Sequence, residues 1–200
     1  MRADFREHCR AVPEHIGGLR VGTETDRGLT VTEETPRLRR ESLVSPVMKI
    51  EYTIETIIDR PRDFVVALFD NQECLKEWLT ELESMDPLEG EPGTAGAKSK
   101  MVFDQKGRKM EMIETILERS PPERFRFTYE CGKVWNEVDN RFEETEDGQK
   151  TLWKAHNVFV LGGFMKIIGF FMKGAFPKQS QVHIDRFKAY VESRDSAPQS

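Results

Sequence analysis

The stretch VWNEVDNRFEETEDGQKTLWKAHNVFV, Val134–Val160, decides the fold. Two alternating runs, Val134–Glu143 and Thr151–Val160, flank Asp147-Gly148, a dipeptide suited to the positive backbone angles of a two-residue hairpin turn. Placing the turn there pairs Glu146 with Gln149, and hence Phe142 with Trp153 and Val138 with Asn157. Side chains alternate between the two faces of a strand. Val134, Asn136, Val138, Asn140 and Phe142 therefore share a face with Trp153, Ala155, Asn157 and Phe159. The opposite face carries Glu137, Asp139, Arg141, Lys154 and His156, which suits solvent, so the first face is expected to point inward. A two-residue slip would keep that parity, which makes the faces firmer than the register.

Working outward, Ile50, Tyr52, Ile54 and Thr56 alternate with Glu51, Thr53 and Glu55 and read as a half-buried strand. Asp59-Arg60-Pro61 ends it, and Pro61 suits the first turn of a helix bearing Phe64, Val65, Leu68 and Phe69. Asn71 can cap a second helix, Gln72–Leu82, with Trp78 on it. The stretch Pro87–Gly96 is rich in Pro and Gly and reads as a loop. Strands are expected at Lys98–Phe103 and Lys109–Glu118, turning at Gln105-Lys106-Gly107, and again around Phe125, Phe127 and Tyr129. A last helix should run from about Phe164 to Glu192, its stripe formed by Ile168, Phe171 and Ala175, then Ile184, Phe187 and Val191. Pro177 should kink or split it. A strand, two short helices, a run of strands and one long helix make an α+β domain. That order predicts a sheet curled around its final helix with a hollow between them.

Composition narrows the function. A net charge of −5 argues against a basic nucleic-acid-binding surface. Cys9, Cys74 and Cys131 form no CxxC pair, so neither a disulfide framework nor a thiolate zinc site is expected. The apolar window Leu161–Phe176 is broken by Lys166 and Lys173 and is shorter than the ~20 residues of a membrane span. The reading is a cytoplasmic protein without an integral membrane segment. Residues 1–47 hold eight Arg, no Lys and eight acidic residues without a hydrophobic period, and are expected to be a disordered extension. Met48 is then a candidate biological start, the domain covers 48–194, and 195–200 form a tail.

Several segments carry a family resemblance: IETIIDRPRDFVVALFD (54–70), KEWL with Trp78, ERSPPERFRF (118–127), DGQKTLW (147–153) and the terminal GGFMKIIGFFMKGAFPKQ…FKAYVES. Over Lys49 to about Arg194 the chain resembles the START-like or Bet v 1-like superfamily, also called SRPBCC or polyketide cyclase/dehydrase-like. The resemblance implies a helix-grip fold, in which a seven-stranded antiparallel sheet wraps around a long C-terminal helix, with two short helices after strand 1. It also implies a hydrophobic cavity, as in relatives that bind lipids, sterols or polyketides, close rings, or act as Hsp90 co-chaperones. No subfamily's catalytic motif matches residue by residue, so no catalytic residue is assigned.

The residues expected to line the cavity are Trp78, Phe127, Tyr129, Asn136, Asn140, Trp153, Asn157, Phe159, Ile168 and Phe171. The three amides either orient a carbonyl or hydroxyl of a ligand, or bond each other, the backbone or trapped water. Phe170, Phe171, Met172 and Phe176 form either a portal touching a membrane transiently or the buried start of the helix. Tyr129 with Arg126 or Glu114 could support acid–base chemistry, although Tyr129 and Arg126 point to opposite faces of one strand. His156 is expected outward beside Asp139 or Glu137, and neither it nor His183 belongs to a metal-binding pattern. The expected partner is a small hydrophobic ligand, with no cofactor and no metal. The rivals are a cyclase, aromatase or dehydratase and a protein-interaction module.

Overall fold

The computed structural model describes residues 47–145, 147–165, 167, 169 and 173–195. The expected extension up to residue 46, the tail from 196, and Ile168 and Phe171 lie outside them. The chain forms β1 (Met48–Ile58), α1 (Arg62–Phe69), a 3-10 turn (Gln72–Cys74), α2 (Leu75–Trp78), β2 (Leu82–Glu89) and β3 (Lys98–Asp104). Then follow β4 (Lys109–Ser120), β5 (Arg124–Cys131), β6 (Val134–Glu144), β7 (Thr151–Leu161) and α3 (Ala175–Glu192). The seven antiparallel strands lie in the order β1-β7-β6-β5-β4-β3-β2, so a meander is closed at one side by the first strand pairing with the last. This is the helix-grip arrangement.

The β6–β7 hairpin has the expected register, with Phe142 opposite Trp153 and Val138 opposite Asn157. The face assignment also holds: Asn136, Asn140, Phe142, Trp153, Ala155 and Asn157 are buried, whereas Arg141 is exposed. The β3–β4 turn places Lys106 and Gly107 at φ 59° and 83°, the two positive angles that match the strand twist.

Two elements differ from expectation. The helix expected over Gln72–Leu82 is only the 3-10 turn, capped as foreseen by the Asn71 side chain accepting from Glu73 N–H, plus a single turn ending at Trp78. Leu82 instead opens a strand opposite Phe103, and Glu81 C=O accepts from Asp104 N–H at 2.8 Å. That strand, β2, spans residues whose local pattern suggests the end of a helix and the start of a loop. Pro87 suits it because β2 is the sheet edge, where a missing N–H costs no ladder bond. The long last helix is divided, as Pro177 led one to expect, but the break falls earlier: Met165, Ile167 and Gly169 are helical, a turn at Lys173-Gly174 intervenes, and Pro177 sits in the first turn of α3.

The core lies where α3 crosses β1 and β7. Ile184, Phe187 and Val191 are buried, while Ala175, expected on the same stripe, is exposed at the helix start. Phe69 from α1 sits at the centre, its ring 5.0–6.4 Å from those of Trp78, Phe125, Phe127, Phe142, Trp153 and Phe187. Edge-on packing dominates, as ring quadrupoles favour. The far end of α3 is pinned by Arg60, whose guanidinium donates to Glu192 C=O at 2.8 Å and Arg194 C=O at 3.1 Å. A cation at a helix C-terminus meets both the free carbonyls and the negative end of the dipole.

Candidate functional site

The hollow is real but displaced from the position the sequence suggested. A cavity of about 250 Å³ lies at the β2–β5 side of the sheet, under α2. Its sheet wall is built from Ile116 and Glu114 of β4, Phe127 and Tyr129 of β5, Met85 of β2 and Met101 of β3. Phe69, Leu75, Trp78 and Leu79 cover it, and the Pro92-Gly93 loop and the Asp70–Arg119 pair complete the wall. No described residue of α3 takes part. The space between α3 and the sheet is instead filled by the Phe69–Phe142–Trp153–Phe187 cluster. A wider depression of about 380 Å³, bordered by Arg62, Glu123, Arg141 and Glu144, is an open charged surface.

Three of the ten expected lining residues, Trp78, Phe127 and Tyr129, stand on the cavity wall. Asn136, Asn140, Trp153, Asn157 and Phe159 do not. Asn140 Oδ1 accepts from Trp153 Nε1–H at 3.0 Å, Asn157 Nδ2 donates to Ala155 C=O at 3.2 Å, and Asn136 Nδ2 donates to Val158 C=O at 3.3 Å. The amides thus have partners within the protein, as buried polar groups require. Phe159 packs on Tyr52 and Phe176.

Glu114 is the polar centre of the cavity. It lies opposite Tyr129 across the β4–β5 ladder and is only 7% exposed. Burial pushes its carboxyl up to about 7, and the opposing influence of the Tyr129 hydroxyl is smaller. Tyr129 is raised well above the usual phenol range, first by burial and then by Glu114. Tyr129 itself is half-buried on the cavity wall. The Trp78 indole N–H is buried and has no hydrogen-bond partner among the described residues. A carboxyl that titrates near neutrality beside a phenol in a largely apolar pocket can bind a polar group or move a proton.

Parity on β4 gives Glu114 its face, together with Ile116, and the sequence pairs it with Tyr129 without placing it in the cavity. Arg119 could not be placed from the sequence. A bulge between Ile116 and Glu118 aligns Arg119 with Phe125, which turns it toward Asp70. Arg119 Nε donates to Asp70 Oδ1 at 2.8 Å and Nη2 to Oδ2, a two-pronged pair.

The histidines lie elsewhere. His156 points outward opposite Asp139 on β6, as expected, while its ring nitrogens meet β1: Nε2 lies 3.3 Å from Glu51 Oε1 and Nδ1 3.0 Å from Thr53 Oγ1. Burial holds His183 below the usual imidazole range, away from the cavity wall. Among the described residues no group of three or more His, Cys, Asp or Glu could hold a metal ion, and no helix is long and apolar enough to cross a membrane.

A closed-side antiparallel sheet gripping a C-terminal helix, with a pocket beneath the short helices, defines the helix-grip class. The chain belongs to the polyketide cyclase / dehydrase and lipid transport family, whose model matches residues 49–192. Among solved structures it is similar to Ara h 8.0201, at 14% identity and TM-score 0.61, covering 74% of this chain and 100% of that one. It is also similar to norcoclaurine synthase from Thalictrum flavum, at 13% identity and TM-score 0.58, covering 86% and 100%. A protein from Thermus thermophilus matches at 23% identity and TM-score 0.56, covering 73% and 99%. These likenesses carry the fold. No curated protein matches the chain.

Proposed function

We propose that the protein binds a small, largely apolar molecule in the cavity beneath α2. The observation that carries this reading is the lining: aromatic rings, two methionines and aliphatic side chains around one buried carboxyl and one phenol. That is the composition of a small-molecule site, a mostly apolar wall with a few placed polar groups. At about 250 Å³ the space falls just under the ~300–1,000 Å³ usual for such sites, which favours a one-ring or short-chain molecule over a sterol or two-chain lipid. Met85 and Met101 can re-pack around different shapes.

Native mass spectrometry of protein taken from its source, with thermal shifts across a panel of small apolar compounds, tests this reading. A bound mass or a consistent rise in Tm is expected, lost when Ile116→Trp fills the space in a folded variant. An empty protein with no shift from any compound contradicts it.

A second reading, a cyclase- or dehydratase-type enzyme, gains support from one observation. Glu114 and Tyr129 are two ionisable groups facing each other inside the cavity. Proton exchange at carbon next to the carbonyl of a small cyclic ketone, followed by NMR in deuterated buffer, tests it. The exchange should be catalysed by the protein and lost in Glu114→Gln. The interaction-module reading needs a filled interior, and the cavity gives it no support.

A further inference from the structure

We propose that the cavity selects a molecule bearing a protonated amine on an apolar body, with Glu114 as the counter-ion and the surrounding rings as a cation-tolerant wall. This rests on the small-molecule reading above and specifies its ligand.

Glu114 is a buried acid to which no described residue supplies a cation. Its only polar influence is the Tyr129 hydroxyl, and no ion pair reaches it among the described residues. The one basic group on the same wall, Arg119, is already engaged by both oxygens of Asp70. A carboxylate in an apolar chamber is expensive to ionise unless something else brings the positive charge. A ligand ammonium does so, and it can donate to Glu114 while a ring on the same molecule packs against apolar walls. Those walls suit a cation as well as a ring: Phe69, Trp78, Phe127 and Tyr129 all border the space, and aromatic faces attract positive charge. The volume matches a single-ring alkylamine.

The charged and titratable groups at the wall are Glu114 of β4, Tyr129 of β5, and Asp70 after α1 with Arg119 of β4. Of these, Glu114 is the one whose ionisation falls near neutrality. It must be ionised to hold an ammonium, so amine affinity rises with pH through about 7 and levels off above, while a neutral ligand's affinity stays flat.

Calorimetry of the full chain with 2-phenylethylamine, 2-phenylethanol and 3-phenylpropionate tests the proposal. The expected order is amine over alcohol by roughly 10- to 100-fold, with the anion weakest. Glu114→Gln should bring the amine down to the alcohol's affinity. Equal affinities of amine and alcohol in the parent protein, or an amine affinity indifferent to Glu114→Gln, overturn the proposal while leaving the cavity reading intact. Should Glu114→Gln not fold, the parent protein's pH profile decides: amine affinity falling below about pH 7 with the alcohol flat supports the proposal, and parallel profiles overturn it. If none of the three probes binds, this inference falls, and the small-molecule reading stands or falls on the wider panel and native mass spectrometry.

Discussion

The two sides of the sheet's inner face are covered very differently. On the β1, β7 and β6 side, an 18-residue helix delivers Phe187 into a ring cluster that leaves Phe142 and Phe187 almost without exposure. On the β2 to β5 side, the cover is a four-residue helix and a Pro-Gly loop, and a cavity of about 250 Å³ remains. Asn140 and Glu114 illustrate the contrast. In the filled half Asn140 Oδ1 accepts from Trp153 N–H, whereas in the hollow half Glu114 has a phenol but no cation among the described residues. One half is packed for stability and the other is kept incomplete, which costs stability and leaves room for a partner.

That contrast can be broken by truncation. Phe187→Ala should lower stability by about 3–5 kcal/mol in urea unfolding, because the rings of Phe69, Trp78 and Trp153 all lose a neighbour. Ile116→Ala, beside space that is already empty, should cost about 2 kcal/mol. Equal losses would remove the distinction between the halves.

Next in size is the pH dependence contributed by Glu114. Its carboxyl is raised from 4.5 to about 7 on folding, so between those values the folded chain keeps a proton that the unfolded chain has lost. The contribution to stability therefore falls as pH rises through that window, by about 3 kcal/mol in total, and is flat above it. Unfolding free energies from pH 4.5 to 8 should show this slope, and Glu114→Gln should flatten it. A slope unchanged in the variant would mean that another group is responsible.

In the filled half, Asn140→Ala leaves Trp153 N–H unsatisfied and should cost about 1–3 kcal/mol by the same unfolding measurement. A neutral outcome would place water or another acceptor at the indole. Smallest of all, His156→Ala removes exposed contacts with Glu51 and Thr53 and should change stability by less than about 0.5 kcal/mol.

How far the sequence could be read follows the same division. The filled half was legible because its signals are local and strong. Asp147-Gly148 fixed the hairpin register, alternation fixed the faces, and the spacing of Ile184, Phe187 and Val191 fixed the buried side of α3. The hollow half was poorly legible because long-range pairing overrides local pattern there. Leu82–Glu89 contains a proline and weak alternation, and only the edge of β3 makes it a strand. The bulge beyond Ile116 reverses the parity that would have sent Arg119 outward. Phe127 and Tyr129 were recognisable as inward-facing and Met101 lies on a strand the sequence placed, but Met85 and Leu79 come from the segment where a strand replaces the expected end of a helix. Trp78, Phe127, Tyr129, Trp153 and Phe159 were all expected inside. Which of them pack against one another and which border empty space depends on how far α3 reaches across the sheet, and no single residue carries that information.

The central contrast is tested most directly by methyl NMR of methionine-labelled protein during titration with 2-phenylethanol. Met85 and Met101 border the cavity, while Met48 and Met165 pack in the separate cluster around Ile50 and Leu161. The account predicts saturable shifts of the Met85 and Met101 methyls with Met48 and Met165 unmoved. Shifts led by Met165, or no shift at any methyl, would contradict it.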